Sequence, residues 1–248
     1  MAEVLAEIES GIAMITLNAP DRRNSFTVAM AEEFIGVVHA INDDPDIAVT
    51  IVTGAGRDFC AGGDRETLQR IGADPMTDES YHGLRRIYDA FVSFGSLATP
   101  TIAAVHGTAV GAGLNLALAA DLRLVSTEAR LMSGFARIGI HPGGGHFHLL
   151  GQVVGADTAA AMALFGEEVR GAEAVRLGLA WRAVPETDLL PEAQRLAQRL
   201  ADRPELARSV VRSWRTQSGS LARWAAAVDI ERLPQLHSMR HLHAPTDR

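Results

Sequence analysis

Three glycine-rich stretches, each following an apolar run, hold many of the residue types in this chain that could do chemistry. They are Phe59-Cys60-Ala61-Gly62-Gly63-Asp64, His106-Gly107-Thr108-Ala109-Val110-Gly111-Ala112-Gly113 and His141-Pro142-Gly143-Gly144-Gly145. Glycine permits tight turns and lets a ligand approach the backbone closely. One use for such loops is to cradle a nucleotide phosphate, but no P-loop lysine is present and no glycine fingerprint opens the first strand-helix unit. Another is an oxyanion hole, in which amides converging from two loops hold an oxygen as it gains negative charge. A third reading, tight turns without a ligand, fits any one stretch taken alone.

The side chains in and around these loops narrow the chemistry. Cys60 reads as a small buried filler, since no histidine is placed beside it in sequence. Asp64 reads as a structural carboxylate of its loop. His141 is suited to proton transfer at neutral pH, and with His146 and His148 it makes three histidines in one short stretch. A metal would need the Gly-rich linker and the following helix start to bring all three to one point, and no metal site is assigned. Arg137 reads as a surface charge that could meet an acyl carboxylate only if it pointed inward.

The elements that must position these loops follow an α/β order. Val4 to Leu17 gives two alternating segments broken at Ser10-Gly11, a hairpin signal. Thr27 can cap a helix carrying Met30, Phe34, Val37, Val38 and Ile41 at helical spacing, ended by Asn42-Asp43-Asp44-Pro45. Ile47 to Thr53, Thr101 to Val105, Leu122 to Ser126 and a run near Leu179 to Val184 read as strands, with a helix from Glu79 to Ser96 between the first two. The uncharged run Thr101 to Ala120 is long enough to raise a membrane span, but its Ala, Gly, His106 and Asn115 favour a buried strand and helix. Beyond a boundary near Pro185 to Pro191 only helices are expected, giving a core over 1–187 and a helical region over 188–248. The stripe Leu206, Val210, Trp214, Leu221, Trp224 and Val228 suggests an association face, and the polar tail after about His237 is expected to be disordered.

With 248 residues the chain can bury a sizeable core, and a net charge of −7 argues against a nucleic-acid partner. One cysteine excludes an internal disulfide and points to a reducing compartment. The acidic, alternating segment Met1 to Glu9 lacks the layout of a secretory signal, so a cytoplasmic protein with no membrane partner is expected.

Taken together, Pro20-Asp21-Arg22-Arg23-Asn24-Ser25, the Phe59 to Asp64 loop, Val105 to Leu118 with Asp121-Leu122-Arg123, Gly139-Ile140-His141-Pro142-Gly143-Gly144 and Ala172 to Leu179 resemble the crotonase superfamily, the enoyl-CoA hydratase/isomerase family. The resemblance covers residues 1 to about 235. It implies an α/β fold, a crotonase-like spiral of strand-strand-helix repeats with a helical C-terminal trimerisation region, and a homotrimer or a hexamer made of two trimers. It implies an acyl-CoA thioester as partner, with coenzyme A as part of the substrate and no permanently bound cofactor. Carried over by position, the oxyanion donors are the amides of Gly63 and Ala112, aided by the helix beginning near Gly111. Arg22 and Arg23 fall where basic residues approach CoA phosphates, and Cys60, Ala61, Gly62 and Asp64 line its path. Tyr88 and His82 lie on the helix that covers the acyl pocket, where helical spacing lets at most one face a ligand.

The departures decide the function expected. Where hydratases of the family carry two glutamates, this chain has Asn115 and Phe135, and a third acidic position used by some relatives is Gly143. Asparagine can orient water but cannot take up a proton, and phenylalanine can do neither. General acid-base catalysis is worth roughly a hundredfold to ten-thousandfold per group. Isomerisation, hydrolysis or carbon-carbon bond chemistry is therefore expected ahead of standard hydration, with His141 as a candidate substitute. A catalytically silent acyl-CoA-binding protein and a true enoyl-CoA hydratase remain as alternatives, and the shortened C-terminus puts part of the usual adenine site in question.

Overall fold

In a computed structural model describing residues 2–218 and 220–243, the apolar runs form two sheets. The larger has the order β1 (Val4–Glu9), β2 (Ile12–Leu17), β3 (Val49–Gly54), β4 (Thr101–Val105), β6 (Leu122–Ser126), β9 (Arg182–Val184), and the smaller the order β5 (Thr108–Val110), β7 (Arg130–Met132), β8 (Glu168–Arg170). The chain-order helices are α1 (Val28–Asp43), α2 (Arg65–Ala73), α3 (Asp78–Gly95), α4 (Ala112–Ala119), α5 (His146–Val153), α6 (Ala156–Ala163), α7 (Gly171–Arg176), α8 (Glu186–Ala197), α9 (Pro204–Ser218) and α10 (Ser220–Met239).

β1 and β2 pair antiparallel across Ser10 and Gly11, both at positive φ, while the other neighbours in the larger sheet are parallel. β4 is buried along its whole length, as a parallel strand covered on both faces should be. One face, with Ile51, Ile102 and Leu124, packs on Leu189, Ala193 and Ala197 of α8. The other, with Val52, Ala103 and Val125, packs on the helices around the glycine loops. Thr27 caps α1 by accepting from the Met30 amide at 3.1 Å.

Strand pairs β4–β5 and β6–β7 each step from the larger sheet to the smaller one before a helical segment follows. The segment after β3 makes the same step through single bridges, Cys60 to Ala109 and Phe26 to Gly63. A spiral of strand-strand-helix units results, with the first two glycine loops side by side. The uncharged run at 101–120 is β4, β5 and α4, and no described helix is long and apolar enough to cross a membrane.

Three expectations change at the C-terminal end. The boundary drawn at 187/188 falls inside α8, which belongs to the sheet packing. Trp224 and Val228 are buried within the chain against Gly95 and Gly145, leaving Leu206, Val210, Trp214 and Leu221 as the exposed part of the stripe. Helix α10 runs past His237 with Met239 fully buried, and a 3-10 turn follows at Arg240–His243. That segment is ordered by packing rather than loose, and residues 244–248 lie outside the described residues.

Candidate functional site

The first two glycine loops meet at a cavity of about 460 Å³. Cys60 donates its amide to Thr108 and accepts from the Val110 amide, both at 3.0 Å, which aligns the Gly62-Gly63 turn with the Gly111-Ala112 turn. Phe26 donates to Gly62 O at 2.7 Å and accepts from the Asp64 amide at 2.8 Å. A residue between two such bonds in a parallel pairing turns its own N–H to the other side, so the Gly63 amide is directed away from Phe26. Ala112 is the first residue of α4, where helical geometry offers its amide no intrahelical acceptor. Gly63 and Ala112 both line the cavity, with Ala61, Gly62 and Gly111 beside them. Helix α3 supplies Leu84, Ile87, Tyr88 and Phe91 to its wall, and among the described residues no aspartate or glutamate lines it. His82, on the same helix, is exposed.

Asn115 and Phe135 also line the cavity, and both are engaged with a residue that sequence reasoning left unassigned. Asn115 Nδ2 donates to Gly143 O at 2.9 Å, which fixes its amide orientation because a carbonyl can only accept. Asn115 Oδ1 then faces His146 Nδ1 at 2.7 Å and must accept from it. The imidazole is thereby the Nδ1–H tautomer, and its bare Nε2 accepts from Ser133 Oγ at 2.7 Å. His146 is fully buried, and burial holds it down at about 4, so it is neutral at pH 7. The Phe135 ring packs edge-on against it with centroids 5.0 Å apart. Glu231 of α10 fixes the start of α5 by accepting from the His146 and Phe147 amides at 2.8 and 3.1 Å.

A second polar feature lies on the α3 side. Tyr88 Oη and Gln235 Oε1 are buried without a hydrogen-bond partner among the described residues, and both residues line the cavity. They flank Gly143, where a Cβ would lie 2.5 Å from Tyr88 Oη and overlap Gln235 Oε1. Burial pushes the Tyr88 phenol well up, leaving it a donor. Arg65 and Gln69, from α2, join the lining as well. None of Ser133, His146, Gln235 or Arg65 was singled out in sequence as a site residue. Only His146 carried a signal, as one of the three clustered histidines.

Other expected site residues lie elsewhere. His141 does not line the cavity; its Nδ1 lies 2.6 Å from Pro142 O and its ring packs on Phe147. Arg22 is held by Glu3 at 2.6 Å and Arg23 by Asp58 at 2.8 Å. Burial alone would raise the Asp58 carboxyl, but bonds from Arg23 and Thr108 hold it well below the usual range. Cys60 is fully buried and burial pushes its thiol up to about 12, which suits a filler and not a nucleophile. Asp64 caps α2 by accepting from Thr67 N at 2.9 Å. Arg137 bonds Gly166 O away from the cavity. Among the described residues no group of His, Cys, Asp or Glu is arranged to hold a metal.

A strand-strand-helix spiral with two glycine loops turned onto one apolar cavity defines a crotonase-type protein. The chain matches the family model described as Enoyl-CoA hydratase/isomerase over residues 7–240 and belongs to that family. It is 44% identical over 177 residues to the probable enoyl-CoA hydratase EchA14 of Mycobacterium tuberculosis, covering 71% of this chain and 68% of that one. It is 34% identical over 205 residues to 1,2-epoxyphenylacetyl-CoA isomerase of Escherichia coli, covering 82% and 78%. The solved enoyl-CoA hydratase/isomerase from Mycobacterium paratuberculosis superposes with a TM-score of 0.87 at 25% identity, covering 97% and 94%.

Proposed function

We propose that this chain binds an acyl-CoA thioester with the thioester oxygen between the amides of Gly63 and Ala112, and that its reaction is not standard enoyl-CoA hydration. The observation that carries this reading is a cavity lined by both Gly63 and Ala112 and, among the described residues, by no aspartate or glutamate. Hydration needs a base to deprotonate water and an acid to protonate the α-carbon. Phe135 offers hydrocarbon at one of the two positions. Asn115 offers a neutral amide already committed at both ends, to Gly143 and to His146. The relatives' names, an enoyl-CoA hydratase and an epoxyacyl-CoA isomerase, support a CoA thioester as the substrate class. Tyr88 and Gln235 would meet a hydrogen-bonding group on the acyl chain, since each is costly to bury unpaired.

The oxyanion part of the proposal can be tested at Ala112. Proline is tolerated at the first position of a helix and removes the N–H. Ala112→Pro should erase the preference of the wild type for acetoacetyl-CoA, whose enolate places charge on the thioester oxygen, over butyryl-CoA. One oxyanion donor is worth about 3 kcal/mol, on the order of a hundredfold. A folded Ala112→Pro protein that keeps the full preference in calorimetric titration would contradict the assignment.

A further inference from the structure

The buried chain Ser133–His146–Asn115 has the connectivity of a nucleophilic triad. We infer that Ser133 is the nucleophile of a thioester hydrolase activity, with His146 as its general base and Asn115 as the group that orients the base. The inference rests on the proposed binding of an acyl-CoA thioester in this cavity and adds the bond that is broken.

Each link has the required direction. Ser133 Oγ–H donates to His146 Nε2 at 2.7 Å, and His146 Nδ1–H donates to Asn115 Oδ1 at 2.7 Å. A neutral amide in the third position serves such an array only when its carbonyl faces the imidazole; with its NH2 turned there it enforces the wrong tautomer. Here Gly143 O takes that NH2 and turns the carbonyl end toward His146. Placement agrees with the role. Ser133 lines the cavity, and the Gly111 amide donates to Met132 O at 3.2 Å, which sets Ser133 beside the Gly111-Ala112 turn. Phe135 covers one side of the imidazole with an apolar ring. The residue that ends hydratase chemistry thereby helps to keep the base dry.

The chemistry balances with water as second substrate. Ser133 Oγ bonds to the thioester carbon while its proton passes to His146 Nε2, and the carbonyl electron pair moves onto oxygen, against the Gly63 and Ala112 amides. When that pair returns, the C–S bond breaks and the CoA sulfur leaves with the proton from His146. Water then gives its proton to His146 and its oxygen to the acyl carbon. The C–O bond to Ser133 breaks, and Ser133 recovers the proton. The products are a carboxylic acid and free CoA.

The test uses the full chain with butyryl-CoA and benzoyl-CoA, reading thiol release, calorimetric affinity and, after acid quench, the mass of the peptide carrying Ser133. Expected are thiol release, an acyl adduct on Ser133, and a loss of at least about a thousandfold in kcat/KM in Ser133→Ala and His146→Gln, with Kd within a few-fold of wild type. Wild-type labelling at Ser133 by a fluorophosphonate gives a readout independent of how the variants fold. Binding without thiol release or Ser133 adduct overturns the triad and leaves the thioester site standing. Thiol release that survives Ser133→Ala overturns it too. Failure of the wild type to bind either thioester removes the site reading beneath it.

Discussion

At the scale of residues, the informative feature is an asparagine that holds a buried imidazole. Asn115 joins Gly143 and His146, and His146 lies neutral between Asn115 and Ser133, with Glu231 the nearby carboxylate, on its backbone amide. Burial lowers His146 from 6.5 to about 4. Between those values the unfolded chain binds a proton that the fold refuses, so this residue's contribution to stability is present above 6.5 and lost as pH falls toward 4. The size is roughly 3 kcal/mol. Glu231 has the opposite sign, because burial raises it and its contribution weakens as pH rises above the ordinary carboxylate value. The difference between wild type and His146→Gln therefore isolates the imidazole. Denaturant melts at pH 5 and pH 7 should show a smaller pH dependence in the variant, and equal dependence would contradict a buried neutral His146. The sequence drew attention to Asn115 because it stands inside the Val105 to Leu118 motif, and to Phe135 because it lies shortly before the Gly139 to Gly144 one. It could not pair Asn115 with His146, which lies 31 positions away, nor tell which of His141, His146 and His148 turns inward. That choice is made by the turn entering α5, and it went against His141.

At the scale of elements, that turn depends on Gly145. Its φ is +77°, and a Cβ there would lie 2.6 Å from the Trp224 indole nitrogen. Gly145→Ala should cost about 2 kcal/mol or more, from left-handed strain together with displacement of Trp224. Gly151, inside the same helix, is the control, since a Cβ added there would meet nothing within 4 Å. Gly151→Ala should add up to about 1 kcal/mol, because alanine is the better helix former. Urea midpoints that move the same way in both variants would contradict this account of α5. The hairpin, the Thr27 cap and the buried strands were legible because alternation, capping and β-branched runs are local signals. β5, β7 and β8 have three residues each, too few to show a period. The inward face of α10 was misread for a different reason. Apolar residues at helical spacing look alike whether they meet a partner or the same chain, and Trp224 goes inward because Gly95 and Gly145 leave room for it.

At the scale of the whole molecule, the cavity and the exposed apolar face of α9 are separate. Leu206, Val210 and Trp214 on α9 stay 49%, 57% and 65% exposed, a cost a lone chain would carry without return. A trimer through this face is proposed; light scattering at micromolar concentration should give three chains, and Val210→Asp with Trp214→Asp should give one. A wild-type monomer would contradict it. At the centre is the chemistry proposed above: a cavity lined by Gly63 and Ala112, with no aspartate or glutamate among its described lining residues, is proposed to bind the thioester without hydrating its double bond. Hydration of crotonyl-CoA, followed by loss of the enoyl absorbance in a preparation whose thioester binding is confirmed by calorimetry, tests this most directly. Binding without measurable hydration is the predicted result, and turnover on the order of ten per second or more would contradict it.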